Sequence, residues 1–293
     1  MPFHGCIPAV TTPFTEADEI DVAALKDNVE HLLTHGVTGL VATGTMGEAG
    51  SLSPAERRAV VEVVVEAADG RAPVLVGVSA GATAPAVHNA TVARECGAAG
   101  VMCLPPLNYR GELEEIAAFY AAVADAGLPV MAYNNPAASG IDLTPAAIAG
   151  IAAQVPGIVA VKECSEDARR IAALVNDTEL EVLVGGDDWA LEGFAAGAVG
   201  WVSGVANVAP AECVELQALV EGGRLAEARA LYARLLPLAR LDMSPLLVQF
   251  FKRAMDQVGL VGGPSRPPRM PLSPEHQAVA DAAVAALRAP VAA

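Results

Sequence analysis

The chain has 293 residues, of which 53% are hydrophobic and 18% charged, so it is long enough for one large α/β barrel and too apolar to be disordered. Its formal charge of -16 predicts repulsion from phosphate backbones and anionic lipid, and we expect no nucleic-acid partner. The two long uncharged stretches, 143–161 and 193–211, are interrupted by Pro, Gly and polar residues, so we expect no membrane span. Five scattered cysteines and an N-terminus without a signal-peptide pattern favour the cytoplasm.

A short apolar run recurs eight times, and each run precedes a turn and a helix-like segment. Near-continuous apolar runs predict strands that are buried on both faces, as in a parallel sheet. The loop after the first run, Thr11 to Phe14, lacks the glycines of a dinucleotide-binding turn, which disfavours a doubly wound sheet. The sequence therefore predicts a (β/α)8 TIM barrel. The predicted strands are 5–11, 39–45, 73–79, 100–105, 129–134, 158–164, 181–186 and 200–206.

Helix-capping residues lie between the predicted strands. Asp21 is placed to cap a helix that ends at Gly36, and Ser53 to Glu56 form a capping box with Pro at the first helical position. Thr144-Pro145 and Ser165 are predicted as further N-caps. Strands and helices are therefore expected to alternate.

After the eighth run the pattern becomes helical. We expect a barrel at 1–222 that carries the catalytic site, followed by a C-terminal helical region at 223–293. The helices predicted in this part of the chain are 210–221, 224–240, 244–258 and 274–289.

Lys162 follows four apolar residues in the sixth predicted strand. A buried ammonium is costly unless it is paired, and the usual response is a lowered pKa, which frees the amine to form a Schiff base with a carbonyl substrate. The alternative is a structural ion pair with Glu163 or Asp187. Because side chains alternate along a strand, Glu163 points away from Lys162, which weakens the case for an ion pair between these two residues. The residues alone leave both interpretations open.

Two further candidates lie at strand ends. Tyr133 ends the fifth strand, beside the strand of Lys162, where a phenol could relay protons to a lysine adduct; the alternative is a packing role. The loop from Ala42 to Glu48 is rich in small residues, and its N–H groups suit a carboxylate; the alternative is an ordinary tight turn.

Other chemistries are disfavoured. His31 and His35 lack the Glu of a zinc-binding H-E-x-x-H helix, so we expect no metal, and we expect no cofactor. Asp187 and Asp188 follow the seventh strand, where barrels often bind phosphate, so phosphorylated substrates are disfavoured.

Four motifs occur in order on successive predicted strand ends, and with them the chain resembles the dihydrodipicolinate synthase/N-acetylneuraminate lyase family over nearly its whole length. The resemblance implies a class I aldolase-type barrel that binds a small 2-oxo acid and an aldehyde, usually as a tetramer built as a dimer of dimers. The motifs are Gly44-Thr45-Met46-Gly47-Glu48, Tyr133-Asn134-Asn135-Pro136, Val161-Lys162-Glu163 and Gly186-Asp187-Asp188.

The resemblance also implies residue roles. By it, Lys162 forms the imine with pyruvate or a related 2-oxo acid, Tyr133 donates and accepts the proton, and Thr45 supplies the hydroxyl that hydrogen-bonds the tyrosine. The positions implied to bind substrate are Gly44, Met46, Gly186 and Val202.

Three positions depart from the family pattern. Met46 replaces a threonine, the stretch 105–109 lacks the usual Tyr-Tyr pair and leaves Tyr109 as the candidate relay, and Ala138 stands where a synthase carries an arginine for the aldehyde's carboxylate. A methyl group cannot replace a bidentate cation, so we expect an aldehyde other than aspartate semialdehyde. A Schiff-base dehydratase of a sugar-acid-like 2-oxo acid and a non-catalytic small-molecule-binding relative stay open as alternatives.

Overall fold

The computed structural model describes residues 3–289, and within them eight parallel strands form a barrel. Each strand from β2 to β7 pairs with the next along the chain, and β8 pairs with β1. The bridge between Ala9 and Val41 joins the first two strands and nearly closes the ring. The predicted TIM barrel is confirmed. The strands are β1 Gly5–Pro8, β2 Leu40–Ala42, β3 Val74–Gly77, β4 Gly100–Cys103, β5 Val130–Asn134, β6 Ile158–Glu163, β7 Glu181–Val184 and β8 Gly200–Ser203.

Helices lie between and after the strands. They are α1 Val22–Thr34, α2 Pro54–Ala68, α3 Thr83–Glu95, α4 Leu113–Ala124, α5 Pro136–Ser139, α6 Pro145–Gln154, α7 Arg169–Asp177, α8 Ala190–Ala195, α9 Pro210–Glu221, α10 Leu225–Ala239, α11 Leu247–Gln257 and α12 Pro274–Arg288. Single 3-10 turns occupy Ala49–Ser51, Asp187–Trp189, Val205–Asn207 and Arg240–Met243. Among the described residues, no helix is both long and apolar enough to cross a membrane.

Most of the predicted helix caps are present. The Asp21 carboxylate accepts a hydrogen bond from Ala24 N at 2.9 Å, and Ser53 and Glu56 cap each other's backbone reciprocally. Thr144 accepts from Ala147 N at 3.2 Å. The cap predicted at Ser165 is wrong, because α7 begins only at Arg169 and Ala168 is the residue at its N-cap position.

The strands are buried almost throughout, which explains why their sequences are continuously apolar instead of alternating. Each fully buried Val or Leu contributes about 1.5–3 kcal/mol relative to an exposed one, so the barrel wall is the main source of stability. At the C-terminal ends of β5, β6 and β8 this wall carries polar side chains, among them Asn134, Lys162 and Ser203.

The last helices match the expected positions, since α9 to α12 differ from the predicted bounds by a few residues at most. The helices α10, α11 and α12 pack on one another, and the segment after α11 returns to the barrel. There Val261 O accepts a hydrogen bond from Asn28 Nδ2 of α1 at 2.8 Å. The division of the chain at 222/223 stays a prediction.

Candidate active site

A cavity of about 380 Å³ opens at the C-terminal ends of the barrel strands. Strand ends supply its floor, and the loops that follow β2 and β5 supply two of its walls. Its position is the one at which barrel enzymes carry their chemistry. Residues predicted for the site that line it are Gly44, Thr45, Met46, Tyr133, Lys162 and Val202.

Lys162 lies on β6 directly beside Tyr133 of β5 in the sheet register. Its side chain is 7% exposed, and its Nζ lies 4.1 Å from the centroid of the Tyr133 ring. Among residues 3–289 no carboxylate forms an ion pair with it. The ammonium therefore has an aromatic face and an open cavity beside it instead of a fixed counter-ion.

The two carboxylates considered as partners of Lys162 are engaged elsewhere. Glu163 accepts hydrogen bonds from Asn134 Nδ2 at 3.0 Å and from Ser165 N at 2.7 Å. Asp187 accepts from Val205 N at 2.8 Å. The structural ion pair is therefore not formed with either residue.

The expectation that the pKa of Lys162 is lowered is wrong. Burial lowers it, but the negative charges of Tyr133, Cys164 and Asp242 outweigh burial, and the pKa of Lys162 lies above its ordinary value. Burial also raises the pKa of Tyr133, and it raises the pKa of Cys164 to about 12. Burial raises the pKa of the Asp242 carboxyl as well, to about 6, so this group is largely ionised at pH 7 and its charge favours the protonated form of Lys162.

Tyr133 is 6% exposed, and its hydroxyl accepts a hydrogen bond from Asn135 Nδ2 at 2.9 Å. Thr45 lines the same cavity, but within the described chain no hydrogen bond joins its hydroxyl to Tyr133. Sequence reasoning missed Asn135. The available signal was an asparagine before a proline, since Asn135 also caps α5 by accepting from Ala138 N at 2.9 Å.

Gly185 lines the cavity, whereas Gly186 does not. A Cβ on Gly185 would lie 3.0 Å from Lys162 Cε and 2.7 Å from Glu163 O, so only glycine lets the chain pass this close. A Cβ on Gly186 would instead lie 2.1 Å from Trp189 Nε1, on the side away from the cavity. Gly185 is therefore the glycine of this pair that lines the cavity, and Gly186 as a substrate contact stays a prediction.

Tyr109 lies outside the cavity lining. It is 51% exposed in the loop between β4 and α4, and its hydroxyl donates to Glu115 at 2.9 Å. In this chain the tyrosine beside Lys162 is Tyr133, and a relay through Tyr109 stays a prediction.

The loop after β2 is fixed by the C-terminal helical region. The fully buried Glu48 forms an ion pair with Lys252 of α11 at 2.5 Å, and its other oxygen accepts from Arg266 N at 3.0 Å. Thr43 and Glu48 have φ of 52° and 53°, a strained left-handed backbone that these contacts hold in place. The N–H groups of Thr45 and Met46 find no acceptor within residues 3–289 and are free to bind an anion.

One side of the cavity comes from the segment between α10 and α11, which the sequence analysis did not connect with the site. In the sequence this segment shows only as an interruption between two predicted helices. Its position at the barrel mouth depends on long-range packing, which local patterns do not reveal. The contributing residues are Asp242, Met243, Ser244, Pro245 and Leu247.

His31 lies on α1 and His35 directly follows it; neither lines the cavity, and their ring centroids are 4.2 Å apart. Within the part of the chain that is described, no group of three or more His, Cys, Asp or Glu side chains is arranged to hold a metal ion.

A parallel eight-stranded barrel that buries a lysine and a tyrosine side by side at its catalytic end defines an enzyme class: a class I, Schiff-base-forming lyase of the aldolase type. The model of the Dihydrodipicolinate synthetase family matches residues 2–287, and the chain belongs to that family.

Similar proteins agree with this assignment. The 4-hydroxy-tetrahydrodipicolinate synthase of Acidiphilium cryptum is 40% identical over 239 residues, which are 80% of this chain and 82% of the relative. That of Methanothrix thermoacetophila is 36% identical over 283 residues, 94% of each chain. The solved structure of a putative dihydrodipicolinate synthetase from Pseudomonas aeruginosa has a TM-score of 0.92 at 34% identity and covers 97% of this chain and 99% of that one.

Proposed function

We propose that the protein activates pyruvate, or a related 2-oxo acid, as an imine on Lys162 and joins it to an aldehyde, or runs this reaction in reverse. One observation carries the proposal: Lys162 is buried without a carboxylate partner and opens into the cavity beside Tyr133. A lysine used only for structure would have a counter-ion at its ammonium.

The surrounding groups suit a 2-oxo acid. The free N–H groups of Thr45 and Met46 bind the carboxylate, and Gly44 allows close approach of the backbone. Val202 and Gly185 form the wall behind the carbonyl carbon.

Proton transfer is the task of Tyr133. Lys162 is protonated at rest, so a neighbouring group must take a proton before the amine attacks the carbonyl carbon and water leaves. The Tyr133 phenol, whose oxygen accepts from Asn135, takes this proton as it passes its own to the next member of a relay, and it later returns a proton to the hydroxyl that leaves as water. Family resemblance supports Thr45 as the second member of the relay.

The acceptor is an aldehyde other than aspartate semialdehyde. Ala138 lies in the cavity wall where an arginine would be needed to bind the carboxylate of that aldehyde, and no arginine of the described residues lines this cavity. An assay with pyruvate and aspartate semialdehyde is expected to give no product, and turnover comparable with that of the best acceptor in an aldehyde panel would contradict this part of the proposal.

The assembly proposed is a homo-oligomer, a tetramer built as a dimer of dimers, in the cytoplasm. Half-exposed Tyr109 and Leu113 at the start of α4 support an interface, and five free cysteines suit a reducing compartment. Sedimentation that shows only a species of the 29.8 kDa chain mass would contradict the oligomer.

The imine is tested by borohydride reduction in the presence of pyruvate. The chain has three lysines, Lys26, Lys162 and Lys252, so intact mass followed by peptide mapping assigns an adduct without ambiguity. We expect one adduct, at Lys162, in the wild type and in the matched control Lys26→Ala. No adduct in the wild type, or an equal adduct in Lys162→Ala, would contradict the proposal.

A further inference from the structure

We propose that Asp242 selects the acceptor aldehyde: its carboxylate accepts hydrogen bonds from the hydroxyl groups of an uncharged acceptor and repels an acceptor that carries a carboxylate. This inference rests on the imine chemistry proposed for Lys162 and specifies the second substrate of the same site.

Asp242 is held at the cavity by packing between two 3-10 turns. It lies in the turn Arg240–Met243, which contacts the turn Asp187–Trp189 after β7. Asp187 N donates to Asp242 Oδ2 at 3.4 Å, and the Tyr232 hydroxyl of α10 fixes the second turn by donating to Asp187 O at 2.8 Å. The packing of the two turns therefore holds the Asp242 carboxylate in a fixed position.

One oxygen of the Asp242 carboxylate is available to accept hydrogen bonds from a ligand. Asp242 Oδ1 accepts no hydrogen bond from any group of residues 3–289, while the residue itself lines the cavity. An ionised carboxylate can accept several hydrogen bonds, so Asp242 presents a free acceptor to whatever occupies this side.

The charges of the cavity are arranged unequally between its two sides. The loop after β2 offers the free N–H groups of Thr45 and Met46, which suit an anion. The opposite side is lined by Ala137, Ala138, Glu166, Asp242 and Ser244, without any cation. When the 2-oxo acid is bound, its carboxylate lies on the loop after β2 and its carbonyl carbon is joined to Lys162. The acceptor aldehyde must then bind against the side that carries Asp242.

A carboxylate on the acceptor would lie near Asp242 and Glu166 with no cation of this cavity left to balance it. Like charges in a partly buried site repel strongly, because little water remains to screen them. Hydroxyl groups would instead donate to Asp242 and Ser244. The chemistry of the lining therefore favours a neutral hydroxyaldehyde over an anionic one.

The test uses two pairs of acceptors matched in chain length, each offered to the full-length enzyme with pyruvate. A comparison of kcat/KM for glyceraldehyde and propanal measures how much hydroxyl groups on the acceptor contribute. A comparison of kcat/KM for succinic semialdehyde and butanal measures the effect of a carboxylate. For the wild type we expect kcat/KM for glyceraldehyde at least ~10-fold above propanal, and for succinic semialdehyde at least ~10-fold below butanal.

Asp242→Asn is expected to weaken both preferences, for glyceraldehyde over propanal and for butanal over succinic semialdehyde, by about 10-fold, because the amide has no charge and is a weaker acceptor. Asp125→Asn, at an exposed position that ends α4, is the matched control and should leave both ratios unchanged. Unchanged ratios in Asp242→Asn would overturn the inference. So would a wild type that prefers succinic semialdehyde to butanal, a result that does not depend on any variant folding.

Borohydride trapping with pyruvate in the same samples separates the two proposals. An adduct on Lys162 together with unchanged acceptor ratios overturns the role of Asp242 alone. The absence of an adduct from the wild type overturns the imine and, with it, the assignment of a second substrate.

Discussion

Two lysines of this chain are almost fully buried, and their surroundings differ. Lys252 on α11 is 2% exposed, forms an ion pair with Glu48 at 2.5 Å, donates to Pro264 O at 2.8 Å and lies over the Phe14 ring. Lys162 on β6 is 7% exposed and has an aromatic ring and a cavity beside it, with no carboxylate paired to it among the described residues.

The difference indicates that Lys252 has a structural role and that Lys162 is available to react with a substrate. The charge of Lys252 is matched by a fixed anion, and together they hold the loop after β2 in its strained conformation. The charge of Lys162 is supported by a more distant carboxylate, Asp242, and its Nζ stays accessible to a carbonyl compound. Removal of Lys162 should therefore lower turnover, and removal of Lys252 should lower stability.

The largest effect is expected on turnover. Lys162→Met removes the nucleophile and should lower kcat by at least ~10⁴-fold, as is usual when a covalent catalyst is lost. The free energy of unfolding should fall by less than in the Lys252 variant below, because no ion pair of the described residues is broken. A loss of stability with retained turnover would reverse the two roles.

The second effect is expected on stability. Lys252→Met removes the nearer of the two cations that pair with the buried Glu48 carboxylate and leaves Arg269 at 3.6 Å, so it should lower the free energy of unfolding by up to about 3–5 kcal/mol in urea titrations. Lys26→Met is the matched control, since Lys26 and Glu66 form an exposed pair that should be worth less than about 1 kcal/mol. Equal losses in the two variants would contradict the structural role of the Glu48–Lys252 pair.

The third effect concerns the neighbour of Lys162. Tyr133→Phe keeps the ring that lies beside the ammonium and removes only the hydroxyl, so proton transfer should slow and kcat fall by about 10²–10⁴-fold. The borohydride adduct with pyruvate should still form when incubation is long. Wild-type kcat in this variant would exclude Tyr133 as the proton relay.

The smallest effect concerns pH. The pKa of Lys162 lies above its ordinary value, so the fraction of neutral amine, and with it the rate of adduct formation, should increase as pH rises. Asp242→Asn removes a negative charge that raises this pKa, so the rate profile should move to lower pH. A shift to higher pH would show that Asp242 does not act on Lys162.

Local signals were enough to predict the barrel, because continuous apolar strands and the caps at Asp21, Ser53 and Thr144 are properties of neighbouring residues. The cap at Ser165 failed because α7 begins only at Arg169, so no N–H of its first turn reaches the Ser165 hydroxyl, which has no partner among the described residues.

The site was only partly predictable. Lys162 and Tyr133 end adjacent strands, so their proximity follows from the register of a parallel sheet. Asp242 comes from a turn that meets the barrel only through long-range packing, and it is one of three groups, after Tyr133 and Cys164, that raise the pKa of Lys162. Neither could be read from the residues around Lys162.

The central claim is that Lys162, and not Lys252, is the lysine that reacts. A crystal soaked with pyruvate tests it most directly. The account predicts continuous density from Lys162 Nζ to the second carbon of pyruvate, with the carboxylate on the N–H groups of Thr45 and Met46 and no change at Lys252. Pyruvate bound elsewhere, or bound here without a covalent bond while Lys162 pairs with a carboxylate, would contradict it.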